Sequence, residues 1–329
     1  TDLPHLDTIA LTRRGRLLTI TLNRPDSLNA FNLAMHDEMV AALEFAKADA
    51  ASDVIVLTGA GRAFSAGGDL DHIAHSAANP HLFDHEVQIA KRIVLTLLAI
   101  DKVVVCRLNG HAVGLGATIA LLCDVIFAHD KAKIGDPHVG IGLVAGDGGA
   151  IFWAQRIGLT RAKEFLLTGE LLSAQRAADI GLINHCLPGE ALDGAGDAFC
   201  DKLLAGAQIA IRYTKALTNM ELRRIADLVL DQGLAWESES VRSADHREAI
   251  AALREKADSA LHMTKGARDM LSTPPAIISA ASPDLIERAA RPMASMPEPH
   301  RRDRWQLDDS FAAGRHGSGL RRSAYGLML

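Results

Sequence analysis

The sequence predicts an α/β fold with largely parallel strands, followed by a helical segment. Three observations carry this expectation. Short apolar runs alternate with stretches of helical periodicity. Two of those runs stop abruptly at glycine-rich segments. From about residue 189 to about residue 256 the pattern is helical almost throughout.

Taken in order, Thr8 to Leu11 and Leu17 to Leu22 read as a hairpin around Arg13-Arg14-Gly15-Arg16. Asn23 to Ser27 is a loop. From about Asn32 to Ala50 an amphipathic helix places Met35, Met39, Leu43 and Ala46 on one face. Buried strands follow at Val54 to Thr58, Lys102 to Leu108, Asp124 to Ala128 and Leu182 to Leu187. Helices are expected between them, at Phe83 to Ala99, Gly116 to Leu122, Gly149 to Ile157, Ala162 to Leu167 and Ala174 to Ile180. His72 to Phe83 reads as a loop. Strands alternating with helices argue for a mostly parallel sheet. The expected organisation is a core over residues 1–195, a helical lobe over 196–264 and a weakly ordered tail over 265–329. The tail mixes prolines, glycines and arginines with little periodicity.

Composition narrows the function classes. The 329 residues carry 35 basic and 40 acidic side chains, a net charge of −5, so neither nucleic acid nor an anionic membrane is an expected partner. No apolar run reaches the roughly 18 residues of a membrane span. Thr1-Asp2-Leu3-Pro4 lacks the basic and apolar regions of a signal peptide, and a cytoplasmic location is expected. Cys106, Cys123, Cys186 and Cys200 form no C-x-x-C pair and read as free thiols of a reducing compartment. No H-E-x-x-H occurs, so no catalytic metal is expected, and no G-x-S-x-G elbow supports a serine triad.

The glycine-rich segments are Gly59 to Leu70 and Asn109 to Thr118. Neither is a nucleotide fingerprint: Gly114-Leu115-Gly116 lacks the third glycine of G-x-G-x-x-G, and no P-loop motif occurs. Glycine lets backbone approach a ligand closely. A helix beginning after Leu115 would aim its positive end at that ligand. Two N–H groups converging on one oxygen make an oxyanion hole.

An ordered set of motifs resembles the crotonase (enoyl-CoA hydratase/isomerase) superfamily. It comprises Leu22-Asn23-Arg24-Pro25 with Leu28-Asn29-Ala30, Gly61 to Leu70, Asn109-Gly110 with Gly114 to Ala117, and Cys123-Asp124. Gly146 to Gly149, Leu167-Thr168-Gly169, Ala177-Ala178 and Gly181-Leu182-Ile183 complete it. The resemblance implies a spiral of ββα turns with a C-terminal helical segment for trimer formation, hence a homotrimer or homohexamer. It implies an acyl-CoA substrate, with CoA as part of the substrate and no separate cofactor. It places the oxyanion donors at the N–H groups of Gly68 and Leu115. Ser27, Leu28, Ala66, Asp69 and Leu70 would line the CoA channel.

One departure bears on the chemistry. Typical hydratases of the family use two glutamates as paired acid and base. Thr118 and His138 stand at those positions. His138 and Asp147 are the replacement candidates, because a histidine titrates near neutrality. Their ordinary structural roles would be a solvated loop residue and a helix N-cap. The stretch Asp136-Pro137-His138 to Gly148, with Glu237 and His36, also resembles the 6-oxocamphor hydrolase-like branch, although another histidine of that branch falls at Leu115. Glu237 would otherwise be a solvated helix charge. Three functions stay open: an acyl-CoA hydratase, isomerase or lyase; a C–C hydrolase of a β-keto thioester or β-diketone; and a non-catalytic CoA-binding member.

Overall fold

The computed structural model describes residues 2–262, with side chains through residue 255. The tail expected from residue 265 onward lies outside the described residues. The chain opens with an antiparallel hairpin of β1 (Ile9–Arg14) and β2 (Leu17–Leu22). The reversal is tighter than the sequence suggests, because Arg13 and Arg14 belong to β1. Only Gly15, at φ 60°, and Arg16 make the turn. Two-residue reversals need positive φ, which glycine supplies.

Asn32 caps α1 (Leu33–Ala48) by accepting from the Met35 N–H. The expected face of Met35, Met39, Leu43 and Ala46 is fully buried. Three passes of one pattern follow. β3 (Val54–Gly59) leads to β4 (Ala63–Ser65), then α2 (Leu70–Ala78) and α3 (Pro80–Ala99). β5 (Val103–Leu108) leads to β6 (His111–Val113), then α4 (Leu115–Leu122). β7 (Val125–His129) leads to β8 (Lys133–Gly135), then α5 (Gly149–Thr168). β9 (Leu172–Ser173), α6 (Ala174–Asp179) and β10 (His185–Leu187) close the core. The later helices are α7 (Gly189–Leu204), α8 (Gln208–Ser240) and α9 (Ala244–His262).

Each pass gives its first strand to a six-stranded sheet, ordered β1-β2-β3-β5-β7-β10, and its second to a four-stranded sheet, β4-β6-β8-β9. Apart from the hairpin the large sheet is parallel. Its central strands are apolar on both faces, as a covered parallel sheet requires. Ile55, Leu57, Val104 and Cys106 face the main core, while Val54, Val56, Val103 and Val105 pack with Leu192 and Cys200 of α7. That alternation is the two-residue period of a strand.

Three expectations are corrected. Residues 72–83 are helical, divided between α2 and α3 at Asn79-Pro80. The small-sheet strands lie inside segments read as turns, since two or three residues carry no visible period. The last strand of the core starts at His185 rather than Leu182. Gly149–Ile157 and Ala162–Leu167 are joined into α5, interrupted only at Gly158, which has φ 78° and ψ 158°. All four cysteines are free thiols.

Candidate active site

The two glycine turns nest against each other. Gly67 has φ 87°, and a Cβ there would lie 2.8 Å from the Val113 carbonyl oxygen. Gly114 has φ 55° and caps α4. Phe31 forms a parallel bridge to Gly68: its N–H donates to Gly67 O at 2.7 Å and its carbonyl accepts from Asp69 N–H at 2.9 Å. In that pattern the N–H of Gly68 points away from Phe31. Leu115 is the first residue of α4, so its N–H has no intrahelical acceptor. Gly68 and Leu115 both line one cavity of about 240 Å³.

The turns are braced from behind. Buried Asn29, at φ 54°, donates to the carbonyls of Ala60 and Ala63 at 2.9 Å each. Ser65 Oγ donates to Asn29 O at 2.8 Å, and Ala66 N–H donates to Leu28 O at 3.0 Å. Asp69 caps α2 and pairs with Arg24 at 3.1 Å. Of the expected channel residues, Ala66 and Leu70 line the cavity. Ser27, Leu28 and Asp69 lie outside its wall, as does Thr118, at the first of the two positions where glutamate is usual.

The same cavity gathers His138, Asp147 and Glu237. His138 opens a short 3-10 turn, His138–Ile141, after β8. Its Nδ1 makes a short contact to Asp136 Oδ1. Its Nε2 lies 3.9 Å from both Asp147 Oδ2 and Glu237 Oε1. Thr118 Oγ1 donates to Asp147 Oδ1 at 3.1 Å. His246 of α9 holds the turn in place, its Nδ1 lying 2.6 Å from Ile141 O. Glu237 reaches the cluster because two glycines let α8 touch the loop before α5. A Cβ on Gly146 would lie 2.2 Å from Gly233 O, and one on Gly233 2.8 Å from Gly146 O.

None of the three takes its ordinary structural role. Glu237 and Asp147 are each 4% exposed, and the His138 side chain 12%. Gly148, not Asp147, caps α5. Burial alone would lower the His138 pKa, but the charges of Asp136, Asp147 and Glu237 outweigh it and hold it well above the imidazole range. Burial raises Asp147 above the usual carboxylate range, against the pull of the His138 cation. Burial, reinforced by Asp147, raises Glu237 well above its ordinary value. The cluster therefore sets an imidazolium beside an aspartate and a glutamate whose proton affinities burial has raised.

Asp136, His138 and Asp147 offer ligand atoms within 4.8 Å of one another, a spacing that could hold a metal ion. Asp136 Oδ1 is already engaged by His138 Nδ1. Asp136 itself escapes sequence reasoning, as does a second group on the cavity wall, His72 with Glu86. The available signal is that His72 and Ser76 stand four apart, one helical turn. His36, expected at the site, does line the cavity and is buried. A larger cleft of about 690 Å³ borders α3, α4, α5 and α8. Its charges are committed: Lys215 pairs with Asp124 at 2.7 Å, and Arg156 binds the carbonyls of Leu121 and Cys123.

Comparison with known proteins identifies the family. The family model described as enoyl-CoA hydratase/isomerase matches residues 12–262. The 2,3-dehydroadipyl-CoA hydratase of Escherichia coli is 32% identical over 252 residues, covering 75% of this chain and 96% of that protein. The short-chain-enoyl-CoA hydratase of Clostridium acetobutylicum is 28% identical, covering 77% and 96%. A crystal structure of an enoyl-CoA hydratase/isomerase from Mycobacterium paratuberculosis superposes with TM-score 0.72 at 38% identity, covering 75% of this chain and 99% of that one. With that fold and that match, the chain belongs to the enoyl-CoA hydratase/isomerase family, within the crotonase superfamily.

Proposed function

We propose that the protein binds a short acyl-CoA thioester with its carbonyl oxygen on the N–H groups of Gly68 and Leu115. Negative charge grows on that oxygen as the enolate forms, and the two donors stabilise it there. His138, as imidazolium, presents Nε2–H to the α-carbon side and donates the proton. Asp147, as carboxylate, accepts a proton from the water that adds to the β-carbon. Glu237, protonated, orients that water. At 3.9 Å from Nε2, Asp147 and Glu237 stand beyond direct hydrogen-bond reach of it, so a water beside the three can be shared among them. The observation that carries the reading is the convergence of both glycine turns and this cluster on one small cavity. CoA is part of the substrate, and no added cofactor enters the reaction.

A second reading is C–C bond hydrolysis of a β-keto thioester or β-diketone, in the manner of the 6-oxocamphor hydrolase-like branch. The histidine among three carboxylates, where two glutamates are usual, favours it. Water would attack the second carbonyl, the C–C bond would break, and the same N–H pair would hold the departing enolate. A non-catalytic CoA-binding role is disfavoured, because burying such a cluster costs stability that binding alone does not require. Crotonyl-CoA is expected to lose its conjugated absorbance with this enzyme. Turnover of cyclohexane-1,3-dione to a free acid, with crotonyl-CoA untouched, would install the second reading.

The pH profile of kcat is expected to be bell-shaped. The His138 pKa lies well above the ordinary 6.5, so activity persists through neutrality and falls as pH rises through the raised value. The Asp147 pKa lies above the ordinary 3.8, so the acid limb also sits above the usual carboxylate range. His138 stabilises the fold fully below its unfolded value, and that contribution disappears as pH rises through its folded value. Rates measured across pH 4 to 11 check both limbs, on the order of two decades apart per two pH units at each flank.

The reading includes a cytoplasmic homotrimer or homohexamer. Ile209, Tyr213, Leu217 and Met220 form an exposed apolar stripe along α8, a surface that favours burial against another subunit. Among the described residues, no helix is long and apolar enough to cross a membrane.

A further inference from the structure

The cavity holds a second polar group that the acid/base chemistry does not use. His36 of α1, His72 of α2 and Glu86 of α3 all line it. Glu86 and His36 are each 7% exposed, and Ser76, which bonds to Glu86, is fully buried. Polar side chains in such a place are costly unless partners satisfy them.

Part of the pairing is internal. Ser76 Oγ donates to Glu86 Oε1 at 2.6 Å, and His72 Nε2 stands 3.1 Å from Glu86 Oε2. That ion pair is close but poorly aligned as a hydrogen bond. His36 Nδ1 lies 2.9 Å from the Asn32 carbonyl. A carbonyl only accepts, so Nδ1 carries the proton and Nε2 is left as an acceptor. Burial lowers the His36 pKa, which keeps Nε2 bare. The Glu86 carboxylate at its side raises the His72 pKa, against burial. A protonated His72 has a second N–H, at Nδ1, beyond the one facing Glu86. The two rings have centroids 6.2 Å apart, and among the described residues no hydrogen bond joins them.

Two residues of this wall thus each keep a ring nitrogen with no hydrogen bond among the described residues, an acceptor on His36 and a donor on His72. A hydroxyl satisfies both at once, whereas a plain methylene chain leaves both unpaired. A carboxylate would meet the charge of Glu86. We infer that His36 and His72 form a polar subsite for a hydroxyl group carried on the acyl part of the substrate. The inference rests on the acyl-CoA reading and names the class of acyl group within it.

The test is calorimetric titration of the full chain with matched saturated esters, which have no double bond to hydrate. Butyryl-CoA is compared with 4-hydroxybutyryl-CoA, and pentanoyl-CoA with 5-hydroxypentanoyl-CoA. At least one hydroxy ester is expected to bind about tenfold tighter than its plain partner. His36→Leu and His72→Leu should bring that ratio near one, while His36→Gln, which keeps an acceptor, should retain most of it. Equal binding of plain and hydroxylated esters overturns the subsite and leaves the acyl-CoA reading standing. Binding of neither kind overturns both. A preference that survives His36→Leu and His72→Leu also overturns the assignment, and the wild-type ratio decides the matter should a variant fail to fold.

Discussion

Replacing His138 by Gln is expected to lower kcat by about 100- to 10,000-fold, the usual worth of a positioned acid or base. The neutral amide fills much of the same space, so the turn held by His246 survives. It cannot deliver a proton from the position now held by Nε2. The loss should fall on kcat more than on KM, because His138 does not hold the thioester carbonyl. Stability should fall as well, by about 3–5 kcal/mol, since removing one partner of a buried ion pair leaves the other uncompensated. Asp136, Asp147 and Glu237 would then face one another without a cation. The contribution of His138 is fullest below the ordinary imidazole value, so the deficit in Tm should shrink as pH rises toward the raised His138 value. Thermal melts of both proteins between pH 5 and 8 check this, and an equal deficit at every pH would remove the electrostatic account.

Leu115→Pro is expected to lower kcat by about 100- to 1,000-fold while leaving α4 intact. Proline is accepted at the first position of a helix, where its missing N–H has no helical partner to lose. Leu115 occupies that position. Proline also restricts the residue before it, but Gly114 at φ 55° and ψ −125° takes the mirror image of an extended conformation, open to glycine. The substitution therefore deletes one donor and trims one buried side chain, while the hydrogen bonds within α4 stay in place. Circular dichroism should be unchanged while turnover of crotonyl-CoA, or of the β-diketone under the second reading, collapses. Undiminished turnover with the helix intact would remove Leu115 from the oxyanion hole.

The long apolar strands of the large sheet are legible in the sequence because each is covered on both faces and so reads as an unbroken run. Val54 to Thr58 and Lys102 to Leu108 are found within a residue or two of β3 and β5. The small sheet is not legible. Ala63–Ser65 and His111–Val113 are too short to show alternation, and glycines surround them. The helix α2 is missed because it buries only Ser76 and Ala77, so no apolar face announces it.

The site divides in the same way. His138, Asp147 and Glu237, far apart in the chain, do meet at one cavity together with Gly68 and Leu115. Asp136 is overlooked because, next to Pro137, it reads as a turn former. Its carboxylate instead binds the imidazole, and its other oxygen lies where a Cβ on Gly149 would be 1.8 Å away. His72 and Glu86 are invisible for a related reason: their partnership spans two helices, one of which the sequence does not reveal.

The glycine-to-glycine contact between residues 146 and 233 has a consequence for recognising this chemistry elsewhere. Glu237 follows Gly233 by one helical turn, and Asp147 follows Gly146 directly, so the spacing of the two acids is set by bare backbone against bare backbone. A methyl group at either glycine would push the helix outward and carry the glutamate away from the histidine. Gly-Asp-Gly in the middle of a chain and Gly-x-x-x-Glu near its end should therefore be inherited as a linked pair. A relative with only one half of that signature is expected to have abandoned the histidine-centred reaction even where the histidine itself remains.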